Sequence, residues 1–137
     1  MTDDQITRMA QANQLLARIA CTGREFFSHR GAVSHFYQGN AGRLWWFDTN
    51  SQRRVWIHQR TGRWRGFTEG GTLRTLVYEL RTYILFGTPM HPQRLGPWPE
   101  WICEGDLWGY GLGAMEAIRA EARRLGIVAT AASAQAS

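Results

Sequence analysis

Residues 32–67 read "AVSHFYQGNAGRLWWFDTNSQRRVWIHQRTGRWRGF", short aromatic and β-branched runs separated by turn-forming residues. Four segments of period-two character emerge, at 32–38, 43–48, 53–60 and 63–67, joined by "GNAG", "TNSQ" and "TG". Gly, Asn, Ser and Thr all tolerate turn geometry. Connections this short join antiparallel neighbours, so the stretch predicts a four-stranded β-meander.

The turns predict a register. A turn at Asn40-Ala41 sets Gln38 against Arg43 and Phe36 against Trp45. The next, at Asn50-Ser51, sets Asp48 against Arg53, Trp46 against Val55 and Trp45 against Trp56. A tight turn at Thr61-Gly62 sets Arg60 against Arg63, His58 against Arg65 and Trp56 against Phe67. Directly opposed residues share a face. One face then carries the row Phe36, Trp45, Trp56 and Phe67, flanked by Arg43, Arg54, His58, Arg60, Arg63 and Arg65. Its opposite carries Val33, His35, Tyr37, Leu44, Trp46, Val55, Ile57 and Trp64. A slip of one residue in any turn would exchange the faces of that strand.

Helices flank the strands. Thr2 and Gln5 form a T-x-x-Q capping box with Asp3 and Asp4 at the positive end of the dipole, which predicts a helix over 2–21. Its apolar stripe runs through Ile6, Met9, Asn13, Leu16 and Ala20, with Leu15 and Ile19 beside it. A second helix is expected over 72–86, capped by Thr72 and ended by Gly87. Its stripe of Leu73, Leu76, Val77, Leu80, Tyr83 and Ile84 is wide enough to need a broad partner, expected to be the sheet. All four prolines fall in 89–99, so 87–104 is a loop, functional or a packed cover. A final helix ends near 125. It starts near 105 or 110 if Gly105, Gly109, Gly113 and Ala117 make a close-packing face, and at Gly113 otherwise. The expected organisation is one α+β domain over 1–126, a four-stranded meander packed with about three helices. The tail 127–137 is small, polar and expected to fray.

Composition narrows the function. The chain of 137 residues is 44% hydrophobic and 20% charged, which is the balance of a globular domain. No apolar run reaches the roughly 18 residues of a membrane span, and the acidic, amphipathic N-terminus is not a secretory signal. Cys21 and Cys103, distant and outside any CxxC, read as free thiols in a reducing cytoplasm. The net charge is +5, and all 16 basic residues are arginine, as GC-rich coding favours. Guanidinium groups stack on aromatic rings and grip phosphate or carboxylate bidentately. Any anionic partner would meet forks rather than point charges.

Motifs for chemistry are weak. The stretch "GYGLGA" fits a dinucleotide fingerprint but lacks the βαβ context that motif needs. The Gly-Gly of "EGGT", residues 69–72, could open a helix onto a phosphate, though it serves equally as a strand-to-helix junction. His29, His35, His58 and His91 are scattered, and nothing in sequence brings His91 to Cys103. No catalytic residue, metal ligand or cofactor is expected. The strongest functional signal is the aromatic–arginine face. Such faces stack bases or nucleotides on aromatic rings and hold the backbone with arginine. A helical cover over the aromatic row, leaving the arginines as a basic rim, is the competing expectation. The candidate binding residues are Arg43, Arg54, Trp56, His58, Arg60, Arg63, Trp64 and Arg65.

The block "GRWRGFTEGGTLRTLVYELRTYILFGTP", residues 62–89, resembles segments of small phage and prophage accessory proteins of GC-rich proteobacteria. That resemblance carries no functional residue. It implies a protein made in the host cytoplasm that binds and disables host machinery, a CRISPR effector or another defence complex. The expected activity is therefore binding to a host protein or nucleoprotein complex, with Trp and Arg as anchors. The alternative is a nucleic-acid- or nucleotide-binding module acting through the same face.

Overall fold

The computed structural model describes residues 1–22, 24–96, 108 and 112–129. Over these residues the protein is α+β, with three α-helices and two small antiparallel sheets. In chain order they are α1 (Asp3–Ala20), β1 (Ser28–His29), β2 (Ala32–Val33), β3 (His35–Gln38), β4 (Leu44–Asp48), β5 (Arg53–Val55), α2 (Gly71–Phe86) and α3 (Leu112–Leu125). β1 and β2 form a two-stranded hairpin; β3, β4 and β5 form a three-stranded meander in that order.

The four-stranded expectation is therefore corrected at both ends. The first expected strand, 32–38, is broken at Ser34. Its N–H donates to Phe27 O (2.7 Å) and its buried hydroxyl accepts from Thr49 N (2.9 Å), which ties the two sheets together. The fourth, 63–67, is not a strand. The chain leaves the sheet after Val55, turns through Gly62 and Gly66 in the left-handed region, and drives Trp64 into the core. The Trp64 indole N–H donates to Gln59 O at 2.9 Å, and its ring meets Phe67 edge-on at 4.9 Å. An indole gains more from burial than a short edge strand gains from its ladder, so packing overrides the period-two pattern.

Asp48 fixes the return path. It is 1% exposed, and its two carboxylate oxygens accept from the backbone N–H groups of Asn50, Ser51 and Thr68 and from the Thr68 hydroxyl, at 2.8–3.0 Å. One buried carboxylate thus closes the β4–β5 turn and anchors the segment entering α2. A buried charge persists only when hydrogen bonds satisfy it in this way.

The helices assemble around α1. The Thr2–Gln5 capping box is formed reciprocally, and Ala12, Leu15, Leu16, Ile19 and Ala20 are buried; Ile6, expected in the stripe, is 41% exposed. α1 packs against α2, α3 and β3. Asn13, read as one more stripe residue, is a polar clamp. Its side-chain amide donates to Phe36 O (2.9 Å) and its oxygen accepts from Phe36 N (2.8 Å). The helix thereby occupies an edge of β3 that would otherwise present unpaired backbone groups.

α2 buries the expected stripe of Leu73, Leu76, Val77, Leu80, Tyr83 and Ile84, chiefly against α1 rather than across the sheet. Its N-cap is Gly70, without a side-chain bond, not Thr72; Gly87 ends it at φ 73. α3 begins at Leu112, and Gly113 is exposed with open space where a Cβ would stand, so it is not a close-packing position. Gly105 and Gly109 lie outside the described residues. Ile127 and Val128, assigned to a fraying tail, belong to the core: Met90 N donates to Ile127 O (2.8 Å) and Ala129 N to Met90 O (2.9 Å). The tail beyond, 130–137, lies outside the described residues. Of the proline-rich stretch, Met90 and Leu95 are buried cover; 97–104 lie outside.

Candidate functional site

The decisive local event is the β3–β4 turn. Gly39 N donates to Arg43 O at 2.8 Å, so the loop holds three residues, Asn40 to Gly42, with Ala41 and Gly42 both left-handed at φ 62 and φ 70. Pairing is therefore Gln38 with Leu44, Tyr37 with Trp45, Phe36 with Trp46 and His35 with Phe47. This is one residue off the expected register, and every β3 side chain changes face. The β4–β5 turn keeps its expected register, with Asp48 opposite Arg53 and Trp46 opposite Val55.

Two faces result. The inner one carries Phe36, Trp46 and Val55, each essentially inaccessible to solvent. The outer one carries His35, Tyr37, Trp45, Phe47 and Arg54, and Trp56 just beyond β5 joins it at 40% exposure. No carboxylate stands among these side chains.

The outer face is ordered by stacking. Arg54 lies over the Trp45 ring at 4.8 Å from its centroid. Trp45 meets Trp56 at 5.1 Å, and Arg43 lies 5.8 Å from the Trp56 centroid. Arginine, indole, indole and arginine thus run in one ladder across β4 and the end of β5. Guanidinium groups favour the negative face of an indole, and each such contact is worth about 0.5–1 kcal/mol at an exposed site. Gly39 makes room for the ladder: a Cβ there would sit 2.5 Å from Trp45 Cδ1. Beside it, His35 lies 5.6 Å from Phe47 and 6.2 Å from Tyr37, and the three line a depression of about 270 Å³. At the other end the ladder opens into a cavity of about 270 Å³, lined by Trp56, Arg43 and Leu44 and, from the helices, Gln5, Arg81 and Leu85.

The expected site residues scatter. Arg43, Arg54 and Trp56 come together as described. His58 is exposed, its Nδ1 3.2 Å from Trp56 O. Arg60 leaves the face to pair with Glu79 at 3.0 Å, and Arg94 reaches the same carboxylate at 3.6 Å. Arg63 and Arg65 are exposed on the irregular segment after the sheet, and Trp64 is 2% exposed, so it is a core residue and no surface anchor. Arg63 does line a second cavity, of about 290 Å³, with Trp64, Phe67, Glu69, Gly70, Gly71 and Arg74. There Arg74 donates to Gly62 O, and burial, opposed by the Phe27 backbone N–H and reinforced by Asp48, raises the Glu69 carboxyl above its ordinary pKa. The "EGGT" junction thus places its own Glu69 carboxyl in the cavity beside Gly70 and Gly71, which opposes a phosphate there. Tyr37, His35, Phe47 and Arg81 were missed. The first three follow from the register alone, and Arg81 from the packing of α2.

Among the described residues no group of three His, Cys, Asp or Glu side chains is placed to hold a metal ion. No helix of these residues is long and apolar enough to cross a membrane. His91 accepts from Gln93 N at a turn, and Cys103 lies outside the described residues.

The model of the YoqU family matches residues 2–135, nearly the whole chain. The chain belongs to the YoqU family. The name is that of a phage- or prophage-associated protein of Bacillus, which agrees with the phage setting and gives no support to the proteobacterial one. No curated protein and no solved structure matches the chain.

Proposed function

We propose that this protein acts by binding rather than by catalysis, as a phage-type accessory protein in the host cytoplasm. Its working surface is the outer face of the β3–β5 sheet. The occupant is an acidic surface of a host nucleoprotein complex, a CRISPR effector or another defence complex being the kind expected. One observation carries this reading: five aromatic rings and two arginines share a partly exposed face among whose described side chains there is no carboxylate. Tryptophan, tyrosine and arginine are the residues that most often anchor interfaces, and the stacking already present pre-orders them. Charge complementarity selects an anionic partner, and the net charge of +5 favours the encounter.

The test is affinity capture from host lysate, with and without nuclease, using three proteins. They are the wild type, the outer-face variant Tyr37→Ala/Arg54→Ala, and the off-face variant Arg63→Ala/Arg65→Ala. A complex held by wild type and the off-face variant and lost by the outer-face variant supports the reading. Capture that survives in the outer-face variant, or is lost only in the off-face one, overturns it.

A further inference from the structure

The ladder ends in a cavity whose lining has its own chemistry. Trp56 supplies an aromatic wall, Leu44 and Leu85 supply apolar ones, and Arg43 and Arg81 supply two guanidinium groups from different elements. Neither arginine has an ion-pair partner among the described residues, whereas Arg60, Arg94 and Arg124 all do. The Gln5 amide is engaged at both ends, donating to Leu85 O (3.2 Å) and accepting from Thr2 N (2.9 Å), so it holds the rim. Arg43 lies over the Trp56 ring (5.8 Å) and Arg81 over the Tyr78 ring (5.6 Å), each placed by an aromatic ring and not by a counter-ion. No side chain lining the cavity is acidic.

We propose that this cavity is a nucleotide site, taking one planar base against Trp56 and its phosphate between Arg43 and Arg81. Its volume of about 270 Å³ lies just below the roughly 300–1,000 Å³ of small-ligand sites. That suits a single planar group with a charged appendage and excludes a folded element. Base stacking on an exposed indole tolerates any base, and arginine forks suit phosphate. Arg43 already lies over Trp56, 5.8 Å from its centroid, so a base entering the site takes that place on the ring as its phosphate draws the guanidinium aside. The site deepens the proposed docking reading, since it names what a nucleoprotein target would present at this edge of the face. A free mononucleotide and one unit of an exposed single strand share this chemistry.

The experiment is a titration of the full chain followed by amide and indole resonances. The probes are adenosine monophosphate, adenosine, inorganic phosphate and a short oligodeoxyadenylate. The expected result is a shift of the Trp56 indole N–H, with adenosine monophosphate or the oligonucleotide binding more tightly than adenosine or phosphate. Arg81→Ala should weaken that binding by at least about tenfold, as expected for a lost charged hydrogen bond. Arg81→Lys should recover only part of it, because a fork becomes a point charge. Saturation by adenosine monophosphate assigns a free nucleotide as the source. Binding of the oligonucleotide alone, weakening steeply with salt, assigns a single strand. No Trp56 response to either nucleotide probe, or equal affinity for adenosine and its monophosphate, overturns the site. If Tyr37→Ala/Arg54→Ala abolishes capture while nucleotides leave Trp56 unmoved, docking stands and this inference falls. If nucleotides bind and capture is indifferent to the outer face, the inference stands and docking falls.

Discussion

Trp45 and Trp46 are chain neighbours with opposite fates. Trp46 is fully buried, packed edge-on against Phe27 at 5.7 Å and Phe36 at 5.0 Å. Trp45, one residue earlier, lies on the outer face between Arg54 and Trp56. The outer face carries five aromatic rings and the inner one two, so aromatic content alone does not mark the core. The difference lies in the escort. On the inner side Trp46 is met by other rings, Phe27, Phe36 and Phe67; on the outer side Trp45 and Trp56 are met by guanidinium, which stacks on a ring and keeps its own hydration. Burial makes the first set structural, and partial exposure makes the second available.

The sharpest test of that contrast is paired truncation. Trp46→Ala should cost about 3–5 kcal/mol in chemical denaturation, the range for large aromatics in a core. Trp56→Ala should cost no more than about 1 kcal/mol, the scale of its exposed stacking contacts, while abolishing binding at the outer face. Comparable losses at the two positions would mean the outer face is in fact covered.

Next in size is the clamp that separates the faces. Asn13→Ala leaves the Phe36 N–H and C=O without their partner and should cost about 2–3 kcal/mol, from the roughly 1–3 kcal/mol of each orphaned buried group. Faster amide exchange along 35–38 is the accompanying sign. A loss below about 0.5 kcal/mol would show that β3 is held by its ladder alone.

Gly39→Ala should act on the outer face only. Its backbone, at φ −92, suits alanine, so the penalty of about 1–2 kcal/mol comes from displacing the Trp45 ring. The near-ultraviolet circular dichroism of the Trp45–Trp56 pair should weaken while far-ultraviolet spectra hold. An unchanged near-ultraviolet spectrum would mean that the ladder does not depend on that close approach.

The smallest effect is a pH dependence. Burial, first among its causes, raises the Glu69 carboxyl in the folded state. The folded protein then binds that proton more tightly than the unfolded chain does. The stability this contributes is complete below the ordinary carboxylate pKa and is lost as pH rises through the folded value. Glu69→Gln should therefore gain stability over wild type as pH rises through that window and keep the gain above it. A thermal-melt series showing the difference constant with pH would remove Glu69 as a titrating group.

Much of the fold was legible. The T-x-x-Q box of α1, the stripe and terminal glycine of α2, and the Asp48–Arg53 register all rest on local geometry, which neighbouring residues decide between themselves. The candidate site was legible only in its chemistry, as arginine among aromatics. Its membership depended on whether the 39–43 loop spends two residues or three in turning. That choice places Ala41, a non-glycine residue, at φ 62, which local preference disfavours.

The sequence by itself determined the α+β class, both boundaries of α1 and the surplus of guanidinium near tryptophan, because those follow from short-range capping, periodicity and composition. Only the tertiary structure decided which aromatics meet water. Burying Phe36 beside Trp46 stabilises the core by more than the strained Ala41 turn costs, and that one-residue choice turned His35 and Tyr37 outward. Likewise, Trp64 gained an apolar environment only by leaving the sheet, which took Arg63 and Arg65 off the face and left Trp56 standing at its open end.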